Sequence, residues 1–310
     1  MKVTVTGGAG FIGANLCRAL VKRPDVDRIV VIDDLSSGSL ENLDGLDVDV
    51  QIGSFLEPDL IEQAVAGSDA VVHLGARPSV PRSLADPIAS HEVNATGTLR
   101  VLEAARAHRN PLVIVASSSS VYGGNPALPK HEDLSPMPLS PYAASKLAAE
   151  SYALAYQESF GVPVLPLRFF NVFGPLQRPG HAYAAAVPAF IWAALHDTPL
   201  PIYGDGRQSR DFTFVDSVTT VIAEAISRRV TSARPVNLAF GTRTDLLGLV
   251  AALEEVLGRP LEIEHAPPRT GDVRHSQADS RALRSLFPEI EPVELHEGLR
   301  RTVDWMSSLG

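Results

Sequence analysis

Tyr142 and Lys146 stand four residues apart in Tyr142-Ala143-Ala144-Ser145-Lys146, downstream of the run Ser117-Ser118-Ser119-Ser120. Positions i and i+4 of a helix share a face, so this spacing puts an ammonium beneath a phenol. A free tyrosine titrates near 10, which leaves about one phenolate in 1,000 at pH 7. A neighbouring cation favours the charged form, and a serine hydroxyl within reach can relay its proton. The three residue types together read as a device for moving a proton. Taken alone, a Tyr and a Lys at this spacing is also an ordinary solvated helix face, so the rest of the chain has to supply the context.

That context begins at Gly7-Gly8-Ala9-Gly10-Phe11-Ile12-Gly13, between an expected first strand and first helix. Gly7, Gly10 and Gly13 permit a tight turn and the close approach of backbone to a pyrophosphate at a helix N-terminus, with Phe11 and Ile12 in its first turn. Asp33, followed by Asp34, closes the second expected strand. A carboxylate there accepts from a ribose 2′-hydroxyl and repels a 2′-phosphate. No arginine follows directly, so the expected cofactor is NAD and not NADP.

The elements that must hold these residues alternate. Val3 to Thr6, Arg28 to Asp33, Val48 to Ile52, Ala70 to His73, Leu112 to Ser117 and Val164 to Phe169 are expected strands. Phe11 to Lys22, Pro58 to Ala66, Pro87 to His108 and Pro141 to Phe160 are expected helices. Apolar runs such as Leu112-Val113-Ile114-Val115 suit a sheet covered on both faces. The expectation is an α/β chain: a Rossmann-type doubly wound parallel sheet over 1–173, with a smaller, interleaved C-terminal α/β domain over 174–310. Val236-Asn237-Leu238 reads as a core strand returning to the first domain. In the second domain, helices are expected over Pro188 to His196, Asp216 to Arg228, Asp245 to Leu257, Ser280 to Phe287 and Glu297 to Ser307, with a strand at Leu200 to Tyr203.

Bulk properties narrow the function classes. The 310 residues are 45% hydrophobic and 20% charged, an ordinary soluble composition. A net charge of -9 without a basic tract argues against nucleic acid as a partner. One cysteine, Cys17, excludes disulfides, and the nine histidines lack metal-ligand spacing. No apolar run is long enough for a membrane span, and Met1-Lys2 leads straight into a strand. A cytoplasmic protein is expected.

The glycine spacing, Ser118, Tyr142 and Lys146 resemble the extended short-chain dehydrogenase/reductase family, and the resemblance spans essentially the whole chain. It is carried further by His73-Leu74-Gly75-Ala76, Asn94-Ala95-Thr96-Gly97-Thr98, Arg168 to Pro175, Arg210-Asp211-Phe212 and Arg269-Thr270-Gly271-Asp272. It implies tightly bound NAD, a nucleotide-linked sugar as substrate, Tyr142 as base, Ser118 as its relay and Lys146 as the ribose-binding, tuning cation. Leu74 and Ala76 fall on cofactor-binding positions. Ser54-Phe55 stands where the family has Asp-Ile/Val against the adenine, with Ser54 still able to accept from its amine and Phe55 to flank the ring. Asn94 reads as a tie between helix and loop, Ser117 as a satisfied strand-end hydroxyl and Tyr122 as packing. Helices Pro87 to His108 and Pro141 to Phe160 correspond to those that pair relatives into homodimers, although their apolar residues could equally all face the sheet.

The two positions after Ser118 indicate the reaction. Sugar 4,6-dehydratases of this family carry Asp-Glu there, and UDP-glucuronate decarboxylases a Glu at the second. Ser119 and Ser120 cannot handle a carbon-bound proton or a leaving hydroxide as carboxyls do. The resemblance thus implies oxidation of sugar carbon 4 and reduction from the other face, a 4-epimerase. Arg210 and Arg269 match diphosphate-binding positions, and Asn171 one that meets the diphosphate or sugar. Ser79, Ser119, Ser120, Asp272 and Ser276 are further substrate positions. A small Ser276, with Ser79 to Ser83 and the Tyr183 to Pro188 segment, resembles bacterial UDP-GlcNAc 4-epimerases, so UDP-GlcNAc/UDP-GalNAc is the first expectation and UDP-Glc/UDP-Gal the next. Arg178 keeps UDP-glucuronate open, since family members acting on it use an Arg there. A lyase using acids from elsewhere, or a non-catalytic NAD-binding protein, are the readings from other classes.

Overall fold

The structure is a computed structural model that describes residues 1–179, 185–267 and 274–309. The apolar runs form strands in alternation with helices: β1 (Lys2–Thr6), α1 (Phe11–Leu20), β2 (Arg28–Asp33), β3 (Asp49–Ile52), α2 (Pro58–Val65) and β4 (Ala70–His73). Next come α3 (Val80–Ala85), α4 (Pro87–His91), α5 (Gly97–Ala107), β5 (Leu112–Ser118), α6 (Pro141–Phe160) and β6 (Val164–Phe169). The chain continues through β7 (Val172–Phe173), α7 (Ala186–Leu195), β8 (Leu200–Tyr203), β9 (Ser209–Arg210), β10 (Thr213–Phe214), α8 (Val215–Arg228) and β11 (Val236–Leu238). It ends with β12 (Thr244–Asp245), α9 (Leu246–Leu257), β13 (Ile263–Ala266), α10 (Arg281–Leu286) and α11 (Leu295–Ser307).

Seven strands make one sheet in the order β11-β6-β5-β4-β1-β2-β3. The pairs joining β1 to β6 are all parallel. Strand order reverses between β1 and β4, so the loops leaving their carboxyl ends part around a crevice, the place where a doubly wound sheet takes its ligand. Val30, Ile32, Val71, Val113 and Val115 pack with Ile61 of α2 and Leu102 of α5 in the buried layer on one face.

The chain divides into two compact units. One comprises Met1–Asn125, Ser135–Phe169 and Thr219–Val236; the other comprises Pro126–Leu134, Phe170–Val218 and Asn237–Gly310. The division is more interleaved than a single cut near 173. Pro126–Leu134 joins the second unit because Lys130 exchanges backbone bonds there, donating to Gln277 O (2.7 Å) and accepting from Asp279 N (2.8 Å). In that unit β8 pairs with β13 in parallel and β9 with β12 antiparallel. Asp245 caps α9 by accepting from Gly248 N at 2.7 Å.

Local signals explain the helix that matters most. Ser140 caps α6 by accepting from Ala143 N at 3.1 Å, Pro141 occupies its first turn, and Gly161, at φ 69°, ends it. Tyr142 therefore lies in the first turn and Lys146 one turn on. The expected helix over 87–108 is interrupted by a π-helical turn, Glu92–Thr96, which separates α4 from α5. The unforeseen α3 is capped by Ser79, which accepts from Arg82 N, and α4 by Asp86, which accepts from Ala89 N. Among the described residues no helix is long and apolar enough to cross a membrane.

Candidate active site

β1 delivers the chain to Gly7, whose φ of +69° and lack of a side chain are both needed: a Cβ there would stand 2.7 Å from Gly75 N, in the turn after β4. A Cβ on Gly13 would stand 2.2 Å from Gly7 O, so the start of α1 packs directly on the turn. Gly10 begins α1 with no side-chain cap, and a Cβ on it would meet only Gly7 O at 3.2 Å. The first-turn N–H groups at Phe11, Ile12 and Gly13 are left without a side-chain acceptor, as a diphosphate site requires.

Asp33, at the end of β2, is 7% exposed. Its Oδ2 accepts from Ala9 N and its Oδ1 from Leu35 N, both at 2.9 Å. Burial pushes its carboxyl up and these bonds pull it back. A carboxylate has about four acceptor positions, so capacity remains for a ribose hydroxyl. Leu74 and Ala76 are half-buried in the turn after β4, where Leu74 N donates to Thr6 O. Ser54 is half-buried, its Oγ accepting from Leu56 N at 3.2 Å. Phe55 is buried in the core. It is 8% exposed, edge-on to His73 at 5.1 Å, with its ring against Gly75 and Gly97. Burial of an apolar ring in the space two glycines leave outweighs its exposure to a ligand. The glycine cradle and Asp33 fit a dinucleotide.

Ser118, Tyr142 and Lys146 gather at the end of β5. Ser118 Oγ accepts from Ser120 N (3.2 Å) and from Ser120 Oγ (2.9 Å), and Ser118 is hydrogen-bonded to the Tyr142 phenol. Burial lifts that phenol above its ordinary value, and the Ser118 bond lowers it. Lys146 is 6% exposed and donates from Nζ to Ala116 O at 2.8 Å. Burial holds its ammonium down at about 8. In the protein alone, burial and Ser118 set the phenol, while the lysine expected to tune it is tied to a strand carbonyl.

Two buried networks support this group. Glu150, one turn beyond Lys146, accepts from Ser117 Oγ (2.8 Å) and pairs with Arg168 through two bonds of 2.9 and 2.7 Å. Both side chains are almost fully buried, and the Arg168 guanidinium stacks on the Tyr122 ring at 4.6 Å. Ser117 is thus a satisfied strand-end hydroxyl and Tyr122 a packing residue.

In the second network Asn94, within the π turn, accepts from Arg77 N (2.7 Å) and donates to Arg77 O (3.2 Å) and Ser145 Oγ (2.9 Å). Ser145 Oγ donates in turn to Tyr142 O at 2.8 Å. Thr98 Oγ1 donates to Asn94 O, so the His73 Nε2 beside it at 3.1 Å must donate, and His73 Nδ1 accepts from Thr6 Oγ1 at 2.7 Å. Burial, assisted by the Lys146 charge, pushes His73 down to about 3.

Glu150 and His73 carry no assigned role in the sequence reading. Glu150 was visible as the next member of the Tyr142–Lys146 helix stripe. Arg168 was visible as a charge inside an apolar strand.

In the second unit Arg210 Nη1 donates to Ser209 O (2.9 Å) and Arg274 O (3.3 Å). Ser276 N donates to Ser209 O at 3.0 Å, which sets Ser276 alongside the strand that carries Arg210. Asn171, at φ 32°, donates to Asp211 O at 3.3 Å, and Arg178 is exposed. Asp211 accepts from Gly241 N, Thr242 Oγ1 and Ala278 N, while burial pushes its carboxyl up to about 6. In the first unit Ser79 adopts φ 96°, a strained value for a residue with a side chain. Arg269 and Asp272, with Tyr183 and Ala184 of the Tyr183 to Pro188 segment, lie outside the described residues.

A half-buried tyrosine bonded to a strand-end serine, in a doubly wound sheet that also carries a glycine turn after its first strand, suits enzymes that shift a hydride at an alcohol carbon. Residues 3–239 match the model of the NAD dependent epimerase/dehydratase family. The chain belongs to this family, and its cofactor is NAD. Over 312 residues it is 36% identical to a UDP-glucose 4-epimerase of Mycolicibacterium smegmatis, covering 98% of each chain. It is similar to the structure of a UDP-N-acetylglucosamine 4-epimerase from Methanobrevibacter ruminantium in complex with UDP-N-acetylmuramic acid: TM-score 0.94, 36% identity, 100% of this chain and 99% of that one. A UDP-glucuronic acid 4-epimerase from Bacillus cereus, with UDP-glucuronic acid and NAD, matches at TM-score 0.91 and 31% identity over the whole of both chains.

Proposed function

We propose that this enzyme interconverts the carbon-4 epimers of a UDP-hexose, with UDP-GlcNAc/UDP-GalNAc as the first substrate pair. The observation that carries the reaction type is the Ser118–Tyr142 hydrogen bond followed by hydroxyls, not carboxyls, at Ser119 and Ser120. Glu150, the carboxylate that shares α6 with Tyr142, is buried and paired with Arg168 and Ser117, which does not favour it as the acid of an elimination. Likeness to the M. ruminantium enzyme supports the N-acetylated sugar, as does the small side chain of Ser276.

Tyr142 takes the proton of the sugar 4-hydroxyl, assisted by Ser118 as a hydrogen-bond partner of its phenolate, and returns one after the 4-keto sugar has turned over. When bound, the nicotinamide would supply a reversible hydride acceptor for carbon 4, with no net consumption of cofactor. Gly7 to Gly13 hold its diphosphate, Asp33 the adenine ribose and Lys146 the nicotinamide ribose. Arg210 and Arg269 hold the substrate diphosphate, with Asn171, Ser79 and Asp272 as further contacts. Two copies pair through α5 and α6: the outer face of α6 exposes Ala144, Ser151, Tyr152 and Ala155, beside an exposed Ile88.

The test is incubation of the purified enzyme with UDP-GlcNAc, UDP-Glc and UDP-glucuronate separately, without added cofactor. The expected product of UDP-GlcNAc is an isomer of unchanged mass, with turnover reduced at least about 100-fold in Tyr142→Phe. A product lighter by one water, or no turnover of any of the three, rejects the reading. The uronate is the second candidate, favoured by the exposed Arg178 and the B. cereus likeness. Preferential turnover of UDP-glucuronate, lost in Arg178→Ala, would select it.

A further inference from the structure

A hydroxyl has one proton to give and two lone pairs with which to accept. Ser118 Oγ accepts from Ser120 N at 3.2 Å and from Ser120 Oγ at 2.9 Å, which occupies both lone pairs. Its remaining side-chain partner is the Tyr142 phenol. We propose that Ser120 is a positioning residue for the Ser118–Tyr142 pair: by filling the acceptor side of Ser118 it forces the Ser118 proton toward Tyr142.

The direction matters chemically. A Ser118 hydroxyl that donates to Tyr142 stabilises the phenolate; one that accepts from Tyr142 stabilises the phenol. Ser120 Oγ–H, Ser118 Oγ–H and the Tyr142 oxygen form a chain of bonds all pointing the same way, and each bond polarises the next.

The backbone makes the arrangement rigid. Ser118 caps a 3-10 turn, Ser119–Tyr122, and the turn itself aims Ser120 N at the Ser118 oxygen. Beyond the turn, Gly123 at φ +44° brings the backbone so close to Met137 that a Cβ would stand 1.9 Å from its carbonyl oxygen. Met137 N donates to Val121 O and Gly124 N to Met137 O, both at 3.0 Å. Below it, Tyr122 is 1% exposed and carries the Arg168 guanidinium on its ring. Ser120 is thereby fixed relative to Ser118 before any ligand arrives. Where the dehydratases that this family includes are expected to carry a carboxyl, this chain uses a hydroxyl to orient its neighbour.

The proposal rests on Tyr142 being the base but not on which sugar it serves, and its test needs no sugar. The ultraviolet phenolate titration of Tyr142 is obtained in the cofactor-loaded enzyme as the difference from Tyr142→Phe, once in the wild-type background and once with Ser120→Ala. Ser120→Ala frees one lone pair and lets Ser118 accept from the phenol. The Tyr142 midpoint should then move alkaline by about half to one pH unit. In turnover, kcat at neutral pH should fall about five- to twentyfold with KM changed less than about threefold. Ser120→Thr, which restores the hydroxyl, should recover both. An unchanged Tyr142 midpoint in Ser120→Ala overturns the proposal whatever happens to kcat, because lost turnover would then belong to a substrate contact. Failure of the epimerase reading would appear separately, as a wild-type enzyme that titrates as expected but turns over no UDP-hexose.

Discussion

His73 is an imidazole the fold keeps neutral. Its two nitrogens are satisfied by Thr6 and Thr98, and burial holds it at about 3 against an ordinary 6.5. As pH falls below 6.5 the unfolded chain takes up a proton that the folded chain refuses. The contribution of this residue is therefore fully present above about 6.5 and is lost as pH drops toward 3. Its slope approaches about 1.4 kcal/mol per pH unit. In melting experiments between pH 6 and 4, His73→Gln should show a shallower loss of stability with acid than the wild type. Equal slopes in both proteins would mean that this histidine does not drive the acid limb. Such a residue was not legible beforehand as a support: His73 at a strand end looks like a ligand or an acid until Thr6, Thr98 and Lys146 are seen around it.

Helix α6 is joined to β5 at consecutive rungs, by Lys146 at Ala116 and by Glu150 at Ser117, immediately before Ser118. Arg168 enters from the next strand, in register with Ser117. Removing one partner of a buried ion pair leaves an uncompensated charge, typically about 3–5 kcal/mol, whereas replacing both with apolar side chains is often neutral. Glu150→Gln should lower the melting temperature sharply, and Glu150→Met with Arg168→Met should recover most of the loss. A double variant no more stable than the single would contradict this account. The strands and α6 were legible because alternation, caps and apolar runs are local properties. The break at Glu92–Thr96 was not, because the helical period continues through it. Its visible cause is long-range: Asn94 must reach Arg77 and Ser145. Tyr142 and Lys146 were legible as a pair through their spacing and Ser118 through the family resemblance, while the bonds from Ser120 to Ser118 needed the 3-10 turn to be seen. The packing of the Phe55 ring against Gly75 and Gly97 was not legible, because those glycines are distant in sequence.

At the scale of the whole molecule, pairing of two copies should depend on the small side chains and Tyr152 on the outer face of α6. Tyr152→Glu places a charge there without touching the relay, and sedimentation should then report a shift toward monomer. A wild type that is monomeric at micromolar concentration would reject the pairing. The first unit also draws on three separate stretches of chain, the last being Thr219–Val236. That stretch is bound in place by Arg229 donating to Asp69 O (3.1 Å), Arg23 donating to Ser227 Oγ (2.7 Å) and Ser232 N donating to Val164 O (3.0 Å). This has a consequence for how the protein is made. A ribosome that has just released Phe169 has delivered every residue of the proton relay but not the segment that completes their unit. The nascent chain must wait through roughly 70 further residues, several seconds of synthesis at least, before that unit can close. A gene fragment cut after position 173 should accordingly yield an insoluble or protease-sensitive product, even though it encodes the glycine turn, Asp33, Ser118, Tyr142 and Lys146.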